Sequence, residues 1–326
     1  MFNWFKKKNG KGAVSKKSGL RLERKTEFFC VEEMKNHYEA VGLGWLFEEL
    51  KPQLRNAIRI SLIRQEEEVI PVGKSKVGGY ADLPKNAKWP TSGENRPLFF
   101  RAQINLRDVA AFDINNELPK EGMLYFFTDS EDKIWGFEVE GRDFHKVLFV
   151  PSVENLERTS PPAREEEYGN DYIDGCASME FRRTLELPGM FSYHFDIAQE
   201  KNEDYNSDNY FEYIAEQEYS KDMVYNAIHK LLGHSENVQG SMEDQCQYTS
   251  NGIDTGSSEG YNNPKIESLK SGIKDWVLLF QLDSDHDKNS GMDFMWGDMG
   301  RLYFWIRKQD LKNKDFSKTW LILQCG

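Results

Sequence analysis

LFFRAQINL at residues 98–106 and WVLLFQLDS at residues 276–284 are the stretches on which the reading of the fold turns. Leu98, Phe100, Ala102, Ile104 and Leu106 alternate with Phe99, Arg101, Gln103 and Asn105, the two-residue period of a pleated strand with two distinct faces. In the second stretch Val277 and Leu279 fill the opposite face as well, which predicts a strand covered on both sides. The two stretches lead at the same spacing to GMLYFF at 122–127 and GRLYFW at 300–305, short aromatic strands opened by a glycine. Gln103 stands as far from Tyr125 as Gln281 does from Tyr303. A further apolar segment follows each, Val147 to Val150 and Trp320 to Leu323. The pattern predicts an α+β fold, mainly antiparallel β-sheet with an internal duplication and peripheral helices.

Working outward, Ala57 to Ile63 reads as another strand, and Glu27 to Leu50 as one or two helices broken by Gly42 and Gly44 and stopped near Pro52. The segment from Ser75 to Pro84 reads as an ordered turn. A polar, acidic region from Pro161 to Asn209 is interrupted by a strand at Met179 to Leu187. Tyr210 to Leu232 reads as mostly helical, with Val224, Ala227, Ile228 and Leu231 on one face and Gly233 as its cap. Ser241 to Gly272, rich in Ser, Asn and Gly, reads as a long mobile loop. The expected organisation is a basic disordered tail over 1–25 and a single domain over 26–326. Its two related sheet units, about 57–150 and 230–326, are joined by an acidic, partly helical segment.

Residues 1–25 carry nine Lys or Arg and one Glu, leaving 33 basic against 53 acidic residues, a net charge of −20, in the remainder. An acidic body argues against nucleic-acid binding and suits a basic partner. The tail, with Phe2, Trp4 and Phe5 beside its lysines, can solubilise the chain or make a membrane-surface contact. No apolar run reaches the roughly 20 residues of a spanning helix. The four cysteines, Cys30, Cys176, Cys246 and Cys325, are scattered, without zinc-site spacing or disulfide density, and read as reduced thiols of a cytoplasmic protein.

Several long motifs in order, SKVGGYADLP at 75–84, Trp89-Pro90, PLFFRAQINL, GMLYFF, HKLLGH at 229–234, LLFQLDSD, MWGDMGRLYFWI and DFSKTWLILQC, resemble the YwqG-like family of uncharacterised bacterial proteins. The likeness covers most of the chain from about residue 30. It implies a mixed fold dominated by antiparallel sheet with a duplicated core. It supplies no activity, ligand, cofactor or catalytic residue.

The candidate sites come from the residues. Gln103 and Asn105, like Gln281 and Asp283, stand at i and i+2 and share a face. Polar residues in such strands either fasten the two units through buried hydrogen bonds or line a polar pocket between them, with Trp296, Asp298 and Arg301 at its rim. Asp283, Asp285 and Asp287 alternate carboxylates as a calcium loop does, but Lys288 and Phe294 stand where that motif needs glycine and a bidentate Glu. Gly256-Ser257-Ser258-Glu259-Gly260 matches a nucleophile elbow only in letters, having no strand before it. Gly73-Lys74-Ser75 lacks the upstream glycine of a phosphate loop. Two functions stay open. One is a cofactor-free binding or interaction protein for a protein or small polar ligand; the other is a metal-assisted or acid-base hydrolase using Asp283, Asp285 and Asp298.

Overall fold

Alternation and aromatic strands assemble into one ten-stranded sheet in which every described pairing is antiparallel. The computed structural model describes residues 27–163, 173–201 and 227–326. The strands are β1 (Arg55–Gln65), β2 (Lys76–Gly78), β3 (Ala81–Pro84), β4 (Phe99–Asn105), β5 (Met123–Thr128), β6 (His145–Val150), β7 (Leu156–Thr159), β8 (Cys176–Glu186), β9 (His229–Leu232), β10 (Trp276–Asp283), β11 (Arg301–Arg307) and β12 (Trp320–Gln324). The sheet order is β12-β11-β10-β9-β1-β8-β2-β4-β5-β6, and β3 pairs with β7 in a separate ribbon. The two central strands are exchanged: β1 precedes β2 in the chain yet pairs with β9, while β8 precedes β9 yet pairs with β2.

The sheet is folded over on itself. Phe126 of β5 and Phe280 of β10 are six strand steps apart, roughly 29 Å on a flat sheet, yet their ring centroids are 4.4 Å apart. Phe126 also meets Phe304 at 5.0 Å. One continuous core results, running from Ile58, Ile60 and Leu62 through Ala102, Ile104 and Phe126 to Phe280, Leu302 and Leu323. Backbone and side-chain bonds close the seam: Leu323 N–H to Ile134 O at 3.1 Å, Trp320 Nε1–H to Gly136 O at 2.9 Å, and His145 Nε2 beside Thr319 O at 3.0 Å.

A bulge revises the alternation read for residues 98–106. The register of β4 against β5 shifts between Phe100 and Ala102, and that of β10 against β11 between Leu278 and Phe280. An extra residue re-aims the side chains beyond it. Leu98 and Phe100 therefore pack outward under the β3–β7 ribbon, while Ala102 and Ile104 face the main core. In the second half Trp276 and Leu278 pack outward against Met242 and Cys246, and Phe280 and Leu282 inward.

The helices cover the outside. The expected helical region after the tail is α1 (Val31–Ala40) and α2 (Gly44–Leu50), which with α4 (Tyr193–Glu200) bury Met34, Leu46, Phe47 and Phe195 together. A short α3 (Leu106–Val109) follows β4, with Asn105 as its N-cap.

Three readings are overturned. The ordered turn expected from Ser75 to Pro84 is two strands, β2 and β3, with Gly79 and Tyr80 between them. The helix expected over 210–232 is strand at His229–Leu232, and its residues 210–226 lie outside the described residues. Pairing with β1 on one side and β10 on the other outweighs the helical spacing of Leu231 with Ile228 and Ala227. Gly233, at φ +74, ends a strand and not a helix; a Cβ there would meet the Cβ of Ala57 at 2.4 Å. The supposed loop over 241–272 holds α5 (Glu243–Thr249), α6 (Ser258–Tyr261) and α7 (Ile266–Leu269). Tyr248, Ile253, Ile266 and Ile273 form a small core there, too widely spaced among polar residues to show as a pattern. One further helix, α8 (Lys308–Lys312), follows β11.

Candidate functional site: two matched lysine–carboxylate clusters

The polar interruptions of the core strands lead to two buried lysines absent from the sequence reading. Lys76 of β2 and Lys230 of β9 are both fully buried, beside Gln103 and Gln281 respectively. Such burial requires paired charges.

In the first half Lys76 Nζ lies 2.5 Å from Glu67 Oε1 and 3.8 Å from Asp82 Oδ1. Arg158 from β7 holds the same two carboxylates, its Nε 2.9 Å from Glu67 and 3.0 Å from Asp82. The Asp82 N–H donates to Gln103 Oε1 at 2.8 Å, and Gln103 Nε2 donates to Lys74 O at 2.7 Å. The Tyr125 hydroxyl donates to Asp82 O at 2.5 Å. Asn105 gives its Nδ2–H to Gly73 O at 2.7 Å and its backbone N–H to Ser75 Oγ at 2.9 Å.

The second half repeats the plan. Lys230 Nζ lies 2.9 Å from Glu186 Oε2 and 2.9 Å from Glu236 Oε1, and donates to His234 O at 2.6 Å. Arg59 of β1 stands 3.6 and 3.9 Å from those carboxylates. The Glu236 N–H donates to Gln281 Oε1 at 3.0 Å, Gln281 Nε2 to Ile228 O at 2.7 Å, and the Tyr303 hydroxyl to Glu236 O at 2.5 Å. Asp283 accepts from the Ile228 N–H at 2.8 Å and pairs with Arg301 Nε at 3.0 Å. Its own N–H donates to His229 Nδ1 at 3.1 Å, so the His229 ring carries its proton on Nε2 and gives it to Asp285 at 3.1 Å.

The electrostatics follow from this wiring. Burial works to raise the Glu236 carboxyl, but Lys230, Arg59 and Arg301 outweigh it and hold the group at about 2. Burial pushes both the Tyr125 and Tyr303 hydroxyls far up, which keeps them as donors. Burial, then Glu67, lifts the Cys176 thiol to about 11, so it stays protonated and unreactive. All four cysteines are free.

The seven residues expected to bind form no common pocket. Gln103 and Asn105 belong to the Lys76 cluster; Gln281, Asp283 and Arg301 belong to the Lys230 cluster on the far side of four intervening strands. Trp296 is core, 1% exposed, with the fully buried Arg101 guanidinium 4.7 Å from its ring centroid. Asp298 is exposed on the turn before β11, its backbone carbonyl accepting from Gly326 at 2.9 Å.

The Asp283, Asp285 and Asp287 series does not converge. Asp283 faces Arg301, Asp285 accepts from His229, Ser290 and the Asp287 N–H, and Asp287 accepts from the Asn289 N–H. Among the described residues no group of three or more His, Cys, Asp or Glu side chains is disposed to hold a metal ion. Ser258 of the apparent elbow opens α6, and Gly73-Lys74-Ser75 is a turn fastened to Asp82 and Asp108.

One alignment in the sequence could have found the clusters. Ser75-Lys76-Val77-Gly78-Gly79-Tyr80-Ala81-Asp82 runs parallel to His229-Lys230-Leu231-Leu232-Gly233-His234-Ser235-Glu236, with lysine, apolar residue, glycine and carboxylate in register. Among the described residues no helix is long and apolar enough to cross a membrane. No curated protein matches the chain. The model of a domain of unknown function (DUF1963) matches residues 75–325, which take in both clusters' lysines and every core strand except β1, and the chain belongs to that family.

Proposed function

We propose that this protein is a cytoplasmic, non-catalytic binding protein, a YwqG-like member of its family built by internal duplication, which presents the loop between β1 and β2 and the turn between β2 and β3 to a protein partner. The observation that carries the reading is the exposure of Val69 (63%), Val72 (50%) and Tyr80 (45%) on a segment held rigid from beneath. Arg158 donates to Glu67 O at 2.5 Å and to Ile70 O at 2.7 Å, Glu67 accepts the Tyr80 N–H at 3.2 Å, and Asp82 accepts the Gly73 N–H at 2.9 Å. Apolar side chains fixed in place lose little conformational entropy when a partner covers them. Of the carboxylates a hydrolase would use, Asp283 is paired with Arg301 and Asp285 accepts from His229 and Ser290, while Asp298 stands apart on its exposed turn.

The test is affinity capture with the full chain and with a Val69→Ser/Val72→Ser/Tyr80→Ser variant. These positions are exposed, so the variant should melt close to wild type. A partner retained by wild type and lost by the variant supports the reading. Equal capture by both would overturn it, as would turnover of ester, amide or phosphoester substrates by the purified wild type.

A further inference from the structure

A different face reverses the charge of this acidic protein. Several surface lysines sit beside carboxylates: Lys35 and Glu39 at 3.8 Å, Lys74 and Asp108 at 3.3 Å, Lys201 and Glu49 at 3.2 Å, Lys270 and Glu267 at 2.7 Å. Around a recess of about 370 Å³ between the 116–119 turn and α8, three lysines gather instead: Lys308, Lys312 and Lys314. Lys308 Nζ donates to the Lys274 carbonyl at 2.8 Å, and among the described residues neither Lys312 nor Lys314 has a carboxylate within ion-pair distance of its ammonium. The carboxylate on the wall is Glu117, which accepts from Asn115 Nδ2 at 3.3 Å.

A second observation comes from the first strand. The Arg55 guanidinium, half-buried at the start of β1, makes no hydrogen bond or ion pair among the described residues. Glu117 and Glu243 offset part of its charge, yet it still reaches Lys308 and His194: burial, then Arg55, lowers the Lys308 ammonium against the pull of Asp275 and Glu117, while burial, then Arg55 and Lys308, bring His194 to about 4. Cations crowded at the cost of their own stability, in an otherwise acidic protein, mark a place where a negative charge would be welcome. The recess falls within the roughly 300–1,000 Å³ of small-molecule sites. Leu118 and Leu311 give it an apolar floor beneath the ammonium groups.

We propose that the recess between the 116–119 turn and α8 binds a compact polyanion, a phosphate ester or a polycarboxylate, through Lys308, Lys312 and Lys314. This site is independent of the Val69–Tyr80 surface and stands or falls without it. Anion and ammonium groups meet at the mouth of the recess, where each contact is partly screened, so affinity rises with the number of charges the ligand brings.

Isothermal titration of the full chain with tripolyphosphate, inorganic phosphate and citrate at low salt decides it. Saturable binding is expected, with tripolyphosphate ahead of inorganic phosphate. Lys308→Gln/Lys312→Gln should weaken it by about tenfold or more, and Glu117→Gln should strengthen it by about threefold to fivefold. Citrate binding as tightly as tripolyphosphate assigns the site to polyanions in general; tripolyphosphate alone assigns it to phosphates. A Lys85→Gln control, on the distant β3–β7 ribbon, should leave binding unchanged. No saturable heat with any of the three anions would overturn the proposal, and so would equal affinity in wild type and the double lysine variant at matched melting temperature. Unchanged affinity in Glu117→Gln would remove the recess as the seat of binding.

Discussion

The two halves of the sheet solve one structural problem with different charges. At the end of β4, Asn105 lies opposite Met123; at the end of β10, Asp283 lies opposite Arg301. A neutral pair in one half corresponds to an ion pair in the other. Their surroundings change to match: the backbone N–H of Asn105 finds Ser75 Oγ, and that of Asp283 finds His229 Nδ1. The same frame of Gln, Tyr and Lys persists around both. Hydrogen-bond geometry is therefore the constant of this fold and charge the variable, as expected where an unpaired buried polar group costs more than the net gain of any one bond.

The largest effects should come from the lysines. Lys230→Met leaves Glu186 and Glu236 with Arg59 at 3.6 and 3.9 Å, while Lys76→Met leaves Glu67 and Asp82 with Arg158 at 2.9 and 3.0 Å. Removing one partner from a buried charge cluster costs about 3–5 kcal/mol. Lys230→Met should reach that range in denaturant unfolding and Lys76→Met should fall below it, because its arginine is closer. Equal losses would break the comparison, and a loss under about 1 kcal/mol in both would remove the clusters from the stability of the fold.

Next comes the exchange of charge between halves. Asp283→Asn removes the paired carboxylate beside the Arg301 guanidinium, 3% exposed, and should cost about 2–4 kcal/mol, whereas Asp283→Asn/Arg301→Met copies the first half and should recover most of it. The reciprocal Asn105→Asp should destabilise alone and be relieved by Met123→Arg. Additive losses in either cycle would show that the two positions do not act as a pair. The same Asp283→Asn protein tests the hydrolase reading. Calorimetry with calcium, magnesium and manganese should move wild type and variant alike; a metal-dependent gain confined to wild type would restore Asp283 as a ligand.

How far the sequence reached is clear from these residues. The period-two strands, the aromatic pair and the matched spacing of Gln103 and Tyr125 with Gln281 and Tyr303 were legible because edge-to-edge pairing depends on local alternation. The lysines were not. A fully buried lysine scores as a surface residue in any apolar pattern, and the helical spacing of Ala227, Ile228 and Leu231 made His229–Leu232 the apparent end of a helix. Nor does sequence show that β1 and β8 exchange partners, since a pairing across the chain leaves no local mark. Consecutive left-handed residues, Gly78 (φ 67) and Gly79 (φ 66) in one half, Leu232 (φ 59) and Gly233 (φ 74) in the other, were hidden for a related reason. Leucine rarely adopts that conformation and gives no warning of it.

Acid should separate the halves more gently. Burial holds the His145 and His234 rings below the ordinary histidine value, so both are neutral in the native protein at neutral pH. A group with a lowered native pKa binds its proton more readily when unfolded; its stabilising contribution is complete above about 6.5 and is lost as pH falls toward the native value. Each such histidine steepens the loss by about 1.4 kcal/mol per pH unit in that window. Glu236, held at about 2, adds its own decline only below the ordinary carboxylate range, from about 4.5 downward. His234→Gln should therefore flatten the profile between pH 6.5 and 5 and leave the steeper fall below 4.5 in place. Asp196, Glu243 and Asp244, raised by burial, gain stability as pH falls through the same range and offset part of the wild-type slope, so the difference between the two proteins reads the ring: profiles of equal slope in wild type and His234→Gln would contradict a buried neutral His234.

The smallest difference is the most discriminating. Tyr125 and Tyr303 both give a hydroxyl proton to the carbonyl of the cluster's acidic residue, each at 2.5 Å. The acceptors are not equally served. Glu236 O also receives Arg301 Nη1–H at 2.8 Å, whereas Asp82 O takes the Tyr125 hydroxyl with no second side-chain donor among the described residues. Tyr303→Phe removes one of two donors and should cost about 0.5 kcal/mol; Tyr125→Phe leaves a buried carbonyl without its side-chain donor and should cost about 1–2 kcal/mol. Adding Arg301→Met to Tyr303→Phe takes the second donor away and should raise the penalty of the tyrosine change to that of the first half, read as a coupling in a double-mutant cycle. If Tyr303→Phe instead costs as much as Tyr125→Phe while Arg301 is intact, the arginine does not stand in for the hydroxyl, and the two clusters share their geometry without sharing the way it is satisfied.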